Sequence, residues 1–449
     1  MKYRYRTDEE MKDSGVEWIG KIPNSWNIIK GKYLFLNSKI KNTGKIDNLL
    51  SLTLKGVVDR DINNVEGLQP ENFDGYQEFY PDNLVFKLID LENISTSRVG
   101  YVHKKGLMSP AYIRLEKIQD IYTKFYYYNY FCYYKKNIFN FLGSVGVRSS
   151  LNSSDLLEMN VVANEKKEQE IIANFLDEKV SQFDSIILKK EALIEKLEEA
   201  KKSLISEVVT GKVKIVKTEE GYDVVPRSSE EMKDSGVEWL GLVPKEWDVK
   251  RLRFLGTLQN GISKSSEEFG YGFPFVSYGD VYRNMNLPES VSGLVNSSVT
   301  DRKIYSVKQG DVFFTRTSET IDEIGISSVC LETIPEATFA GFLIRFRPNN
   351  KLLFKGFSKY YFRCILNRNY FVKEMNLVTR ASLSQNLLNN LSVVLPTYEE
   401  QENIYWGLEY KIGTINNIIE KIKSEIQKLK EAKQSLITEA VTGKIEILD

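Results

Sequence analysis

The chain has 449 residues, of which 42% are hydrophobic and 27% charged, and its 61 basic and 61 acidic residues give a formal net charge of zero. These proportions are typical of a globular protein, and no apolar run is long enough to cross a bilayer. The basic N-terminus has no apolar stretch behind it, which excludes a signal peptide, so we expect a cytoplasmic protein.

A segment near the N-terminus returns in the second half of the chain. Glu10–Trp18 reads Glu-Met-Lys-Asp-Ser-Gly-Val-Glu-Trp and is repeated without change at Glu231–Trp239. Each copy is followed by Pro-x-x-Trp, which begins at Pro23 and at Pro244. A period above two hundred residues exceeds the range of solenoid repeats, so the pattern indicates a duplicated domain.

Residues 1–165 are predicted to form a domain of mixed α/β structure. Strands are predicted in Tyr80–Phe86 and Ser97–Val102, and Val161–Ala163 predicts a closing strand. Between them, Thr123–Tyr134 predicts a helix rich in aromatic residues. Its rings recur at helical spacing, so we interpret them as core packing rather than as a platform for stacked bases.

A long amphipathic helix is predicted over 166–212, and a second copy follows at 397–444. Gly211 and Gly443 stand where C-terminal helix caps are expected. At this length, roughly 60 Å, each helix exceeds one compact half, so we expect the two to pair as an antiparallel coiled coil. Pairing with helices of another protein stays open. The apolar seam of the second copy consists of Ile404, Leu408, Ile412, Ile415, Ile419, Ile422, Ile426, Leu429, Lys433, Leu436 and Ala440.

Residues 213–229 are predicted as a linker, and residues 230–396 as a second domain of mixed α/β structure. Its strands are predicted in Gln309–Phe314 and Glu323–Cys330, and its aromatic helix in Phe357–Leu366. The predicted fold class is therefore α+β. Two domains are separated by two long helices, and the halves are related by an approximate two-fold axis.

The sequence contains no recognisable catalytic or metal-binding motif. It lacks a phosphate-binding loop and a dinucleotide fingerprint, and its only histidine, His103, lies beside two lysines. Cys132, Cys330 and Cys364 are too far apart for a paired metal or redox motif, so we expect buried thiols. We predict a chain without a catalytic or metal site, although an enzyme with an unfamiliar site stays open.

Basic residues are concentrated inside the two predicted domains. Residues 98–148 carry nine Lys or Arg and two acidic residues, and residues 342–380 carry nine and one. This distribution is typical of polyanion-binding modules on a neutral scaffold. A solvated Lys-rich face would give a similar pattern.

The repeated segments closely resemble those of the specificity subunits of type I restriction-modification systems. The resemblance lies in Asp-Ser-Gly-Val-Glu-Trp and Pro-x-x-Trp before each domain, and in the segments Glu168–Lys212 and Glu400–Lys444 after it. It covers the whole chain, twice and in the same order. It implies that 1–165 and 230–396 are target-recognition domains, each of which reads one half of a split, asymmetric DNA sequence. The long helices then act as spacers.

The resemblance also implies partners that carry the chemistry. In that family, two methyltransferase (modification) subunits that use S-adenosylmethionine flank one specificity subunit, and restriction subunits that use ATP and Mg²⁺ can join them. This chain would bind double-stranded DNA, hold no cofactor or metal itself, and be non-catalytic. A coiled-coil scaffold without sequence-specific DNA binding stays open as the alternative.

Base-reading residues are not fixed by the family, so we select basic residues inside the domains as candidate DNA contacts. Arg148 and Arg380 form a matched pair before the two closing strands, where a phosphate contact and a structural salt bridge both fit. The other four are expected in loops or at strand ends, and a solvated charge is the alternative for each. The six candidates are Lys104, Lys105, Arg148, Arg302, Arg316 and Arg380.

Overall fold

The computed structural model describes residues 2–46, 48–60, 73–92, 96–143, 150–318, 323–349, 352–374 and 381–448. The chain divides into two compact units. Unit 1 comprises 1–191 and 423–449, and unit 2 comprises 192–422. Each long helix therefore begins in one unit and ends in the other. Within the described ranges, no helix combines the length and the apolar character needed to cross a membrane.

The first half of the chain contains short strands followed by helices. Its strands are β1 (Lys2–Tyr5), β2 (Met11–Asp13), β3 (Lys21–Pro23), β4 (Asn27–Lys30), β5 (Phe35–Asn37), β6 (Leu50–Thr53), β7 (Gly56–Asp59), β8 (Gln77–Phe79), β9 (Leu84–Phe86), β10 (Val99–Tyr101), β11 (Gly106–Met108), β12 (Ile113–Lys117) and β13 (Asn160–Ala163). Its helices are α1 (Thr123–Lys135), α2 (Ile138–Leu142), α3 (Ser153–Glu158) and α4 (Lys166–Val209). The predicted strands, aromatic helix and long helix are confirmed.

The second half repeats this order. Its strands are β14 (Val213–Thr218), β15 (Gly221–Pro226), β16 (Met232–Asp234), β17 (Leu242–Pro244), β18 (Asp248–Arg251), β19 (Gly256–Asn260), β20 (Phe269–Val276), β21 (Leu294–Val295), β22 (Val312–Thr315), β23 (Thr317–Ser318), β24 (Ser327–Val329), β25 (Thr338–Phe339), β26 (Leu343–Pro348), β27 (Ala381–Ser382), β28 (Ser392–Leu395) and β29 (Ile445–Leu448). Its helices are α5 (Tyr278–Arg283), α6 (Val299–Ile304), α7 (Lys355–Tyr361), α8 (Ile365–Glu374), α9 (Gln385–Asn390) and α10 (Tyr398–Val441).

The helix predicted in Phe357–Leu366 is divided into α7 and α8. At the break, the carbonyl of Tyr361, the last residue of α7, accepts from the Asn367 side-chain amide at 2.6 Å and from the Cys364 N–H at 3.2 Å. These two bonds satisfy a carbonyl that a continuous helix would have bonded to the N–H four residues on.

Both units are built around the same four-stranded antiparallel sheet. The strand order is β10-β9-β12-β5 in unit 1 and β24-β22-β26-β19 in unit 2. Beside each sheet, the predicted closing strand pairs with a strand that follows the repeated segment: β13 with β4, and β28 with β18. The duplication in the sequence is therefore a duplication of topology, and the α+β fold class is confirmed.

The aromatic helix α1 supplies the core of unit 1. Tyr126, Tyr130 and Tyr133 are each at most 2% exposed. The Tyr130 ring meets the rings of Phe35 and Phe86 edge-on, with centroids 6.5 and 5.1 Å apart. Edge-on contacts are a favourable geometry for packed rings. The interpretation of these rings as core packing is confirmed.

Within unit 1, the last part of α10 lies beside the first part of α4. None of the predicted seam positions of α10 is fully exposed. Within unit 1, Lys190 of α4 binds Glu425 of α10 at 2.6 Å, and Lys433 of α10 binds Asp184 of α4 at 2.6 Å. Because the contact moves backward along α10 as it moves forward along α4, the two segments are antiparallel, as predicted.

Each long helix leads into a two-stranded antiparallel ladder. After α4, β14 pairs with β15, so the predicted linker 213–229 contains a hairpin. After α10, β29 pairs with β1, and Lys2 lies opposite Leu448. In both units the ladder precedes the repeated Glu-Met-Lys-Asp segment.

The C-terminal end of each long helix packs against Pro-x-x-Trp. Gly211 and Gly443 have φ of +77° and +70°, the left-handed conformation expected of a C-terminal cap. A Cβ built on Gly211 would lie 2.4 Å from Pro244 and 3.0 Å from Trp247, and one built on Gly443 would lie 2.4 Å from Pro23. Both the backbone conformation and the close approach therefore require glycine.

We expect Gly211→Ala to lower the thermal unfolding midpoint more than Gly236→Ala does. Both glycines have positive φ, so both substitutions strain the backbone by about 1 kcal/mol. A Cβ on Gly211 meets Pro244, whereas one on Gly236 has nothing within 4 Å. Thermal unfolding followed by tryptophan fluorescence measures the difference. Equal shifts for the two variants would contradict a rigid contact between the end of α4 and Pro244.

Candidate nucleic-acid interface

Two adjacent polar residues at the start of α4 attach the first domain to the long helix. Glu168 accepts hydrogen bonds from the Trp26 indole at 2.7 Å and from the Arg6 guanidinium at 3.2 Å. Gln169 is 2% exposed; it accepts from the Tyr122 N–H at 2.9 Å and donates to the Asn164 carbonyl at 2.8 Å. We call this glutamate and glutamine the Glu-Gln clamp.

The start of α10 repeats the Glu-Gln clamp in unit 2. Glu400 accepts from the Trp247 indole at 2.8 Å and from the Arg227 guanidinium at 2.7 Å. Gln401 is fully buried and accepts from the Phe354 N–H at 2.8 Å. The sequence contains both glutamates and both tryptophans at repeated positions, and that repetition was the signal from which the bonds could have been inferred.

Much of the basic charge inside the domains has structural partners. Arg98 is 1% exposed and donates to backbone carbonyls, and Arg114 is equally buried and bonds to other side chains. In unit 2, Arg363 donates to several backbone carbonyls. Burial lowers the pKa of Arg345 to about 10. The number of basic residues therefore overstates the charge available to DNA phosphates.

For three of the six candidates, the structure shows no cation that is free to bind DNA. Arg148 and Arg380 lie outside the described residues. Arg302, in α6, binds Glu336 at 2.6 Å and lies over the Phe273 ring, 3.5 Å from its centroid. Its guanidinium is engaged by the protein itself, so a role in binding DNA stays a prediction.

Lys104 and Lys105 lie in the loop between β10 and β11. Lys104 forms an ion pair with Asp59. Lys105 lies over the Tyr80 ring, 5.2 Å from its centroid, and Tyr80 donates a hydrogen bond to Glu78, which is 2% exposed. Surface ion pairs contribute little stability and exchange partners readily. Both lysines are therefore accessible to a phosphate.

Arg316 is the candidate that lies beside a cleft. It follows β22 and lines a cleft of about 550 Å³, together with Lys264, Tyr278 and Phe342. Among the described residues, its side chain has no hydrogen bond or ion pair. Sequence reasoning identified Arg316 but not the rest of the cleft, because its walls come from separate segments of the chain.

The backbone position of Arg316 is occupied by a leucine in unit 1. The carbonyl of Arg316 accepts from the Leu383 N–H at 2.8 Å, and the carbonyl of Leu88 accepts from the Leu151 N–H at 3.0 Å. Leu88 is 1% exposed and belongs to the core of unit 1. The same position in the repeated topology therefore carries a core residue in unit 1 and a cation beside a cleft in unit 2.

The remaining reactive residues are structural. Cys132, Cys330 and Cys364 are buried free thiols, as expected. His103 is exposed in the β10–β11 loop. Over the described ranges, no three His, Cys, Asp or Glu residues are grouped so that they could hold a metal ion.

We expect the acid sensitivity of unit 1 to depend on Glu78. Hydrogen bonds from Thr43 and Tyr80 lower the pKa of Glu78 to about 2, against about 4.3 in an unfolded chain. The stability from this shift is fully present above the unfolded pKa and is lost as the pH falls through the folded pKa. Glu78→Gln should therefore lower the unfolding midpoint at neutral pH and flatten its decline towards pH 2, measured by circular dichroism. The control Glu17→Gln, at an exposed position, should keep the wild-type pH dependence.

Known proteins share this architecture. Residues 244–428 match the model of a family described as the type I restriction modification DNA specificity domain. The chain is 21% identical over 456 residues to the EcoBI specificity subunit of Escherichia coli, covering 98% of this chain and 90% of that protein. It is 24% identical over 360 residues to the MjaVIII specificity subunit of Methanocaldococcus jannaschii, covering 77% and 76%. A solved chain from work on complex assembly and conformational transition of the type I R-M system superposes with a TM-score of 0.68 at 12% identity, covering 94% of this chain and 99% of that chain, which supports the fold.

Proposed function

This chain belongs to the type I restriction-modification specificity subunits, and we propose that its two units each read one half of a bipartite, asymmetric DNA target. It is the non-catalytic, DNA-recognising subunit of such a system. The two-part target is supported by a repeated topology that carries different residues in the two units. Sheet order and Glu-Gln clamp are the same in both units, whereas Leu88 and Arg316 differ at one frame position. Different residues in the two units suit two half-sites of different sequence.

We propose that partner subunits supply the chemistry. Two modification subunits would bring S-adenosylmethionine, and restriction subunits would bring ATP and Mg²⁺. The repeated frame supports two copies of one partner, because it presents the same arrangement around Trp26 and around Trp247. We also propose a cytoplasmic location, because a DNA partner would be found in the cytoplasm of a prokaryotic cell.

The experiment that tests this function is co-expression with a cognate modification subunit, followed by mapping of methylated bases across the host genome. We expect a bipartite, asymmetric motif whose two parts are separated by a fixed number of unread positions. The chain expressed alone should give no methylation. A continuous or palindromic motif, or methylation without the partner, would contradict the proposal.

The alternative is a coiled-coil scaffold without sequence-specific DNA binding. It differs from the proposed function in the expected salt dependence of binding to duplex DNA. A DNA-reading chain makes phosphate contacts that displace counterions, so its affinity should fall by at least about tenfold between 50 and 200 mM salt. Lys104→Ala combined with Lys105→Ala should reduce the slope of log affinity against log salt by about 1 to 2. Fluorescence anisotropy with a labelled duplex measures both effects.

The matched control is Lys217→Ala, an exposed lysine in the β14–β15 hairpin. It should keep the wild-type salt dependence. Absence of any salt-dependent binding in the unsubstituted chain would favour the scaffold. If the double variant and the control behave alike, DNA binds elsewhere on unit 1 or on unit 2.

A further inference from the structure

The cleft beside β22 has preformed walls. One wall contains Lys264 and the other Phe342. Behind them, the Ile262 N–H donates to the Phe339 carbonyl at 2.9 Å, and a Cβ built on Gly261 would lie only 2.1 Å from the nearest backbone oxygen. The two backbones therefore meet at the floor of the cleft, where any side chain on Gly261 would separate them.

Arg316 carries the uncompensated charge of this cleft. Lys264, the other cation, is bound by Glu268 at 3.2 Å and by Asp301 at 3.4 Å. Arg316 has no side-chain partner among the described residues. Within the part of the chain that the structure describes, the cleft thus holds one guanidinium without an acceptor, and this group can bind an acceptor from outside the chain.

The backbone of Arg316 is fixed on both sides. Its N–H donates to the Phe342 carbonyl at 3.0 Å, and its carbonyl accepts from the Leu383 N–H at 2.8 Å. A fixed backbone with a free side chain suits directional recognition, because little ordering is needed before the planar guanidinium binds two acceptors at once.

Phe342 adds an exposed aromatic surface next to this arginine. Its side chain is 65% exposed, and Phe269 at the cleft is 38% exposed. An aromatic ring beside a cation is a suitable surface for nucleobases, since a ring contacts a base face or a thymine methyl group, whereas a phosphate gains nothing from it.

We propose that Arg316 is a specificity-determining residue that reads a guanine in the half-site of unit 2, donating two hydrogen bonds to O6 and N7, while Phe342 packs against the neighbouring base. Among base edges, guanine offers this pair of acceptors in the major groove. The inference rests on the proposed function and adds the residue and the base. The buried Leu88 at the equivalent position gives unit 1 no such contact.

The test uses the full-length chain in complex with its modification subunit. Variants Arg316→Lys, Arg316→Leu and Phe342→Ala are compared with wild type by mapping methylated motifs and by measuring binding to duplexes with each base at every half-site position. Arg316→Leu places the unit 1 residue in unit 2. Arg253→Ala is the matched control, because Arg253 is an exposed arginine of unit 2 that does not line the cleft.

We expect Arg316→Leu to lose about ten- to a hundredfold of the preference for guanine at one position. The unit 1 half-site, an internal control in every assay, should keep its specificity. Arg316→Lys should restore the preference only in part, since an ammonium can donate to O6 and N7 but lacks the planar, fixed fork of a guanidinium. Phe342→Ala should weaken selection at the adjacent position, and Arg253→Ala should match wild type.

The opposite outcomes overturn the inference. If Arg316→Leu weakens all sequences equally and Arg316→Lys restores binding, Arg316 contacts phosphate. If neither variant changes motif or affinity, the cleft does not bind DNA. Both results would leave the bipartite motif of the wild-type complex intact, whereas failure of the proposed function would remove that motif from wild type itself. Unfolding midpoints equal to wild type confirm that the variants are folded.

Discussion

The hydrogen bond from a buried indole to a glutamate is the interaction on which each half of this chain depends. Trp26 and Trp247 are each 1% exposed, so an unbonded indole N–H would cost about 1–3 kcal/mol. Glu168 and Glu400 satisfy that N–H and also bind the arginine that directly follows a strand of the ladder, Arg6 or Arg227. Because both glutamates lie in the first turn of a long helix, one carboxylate joins the repeated segment, the ladder and the helix.

The frame of this fold could be predicted from the sequence because its determinants are periodic and local. Seam residues of α10 recur every three or four positions, and Gly211 and Gly443 mark where the helices end. These features need no knowledge of distant neighbours. The division between α7 and α8, where the side chain of Asn367 reaches back to Tyr361, was missed because no period reveals such a bond.

The candidate interface could be predicted only in part, because burial decides what a charged residue does. Arg98 and Arg316 look alike in the sequence, yet Arg98 is buried against backbone carbonyls and Arg316 lines a cleft. Long-range pairing of strands sets this difference. Residue type alone identified arginines as candidates, whereas their surroundings separate a buried arginine that stabilises a domain, such as Arg98, from one that lines a cleft, such as Arg316.

The glutamine of the clamp has a consequence for how such chains diversify. Gln169 and Gln401 accept hydrogen bonds from the main-chain N–H groups of Tyr122 and Phe354, at the points where the aromatic helices begin. Every residue except proline offers that donor. The bond to the backbone is therefore kept whatever side chain stands at these two positions, and Gln169 adds one side-chain bond, to the Tyr126 hydroxyl at 3.2 Å. Substitutions at Tyr122 and Phe354 can therefore accumulate while the start of each aromatic helix stays bonded to its long helix.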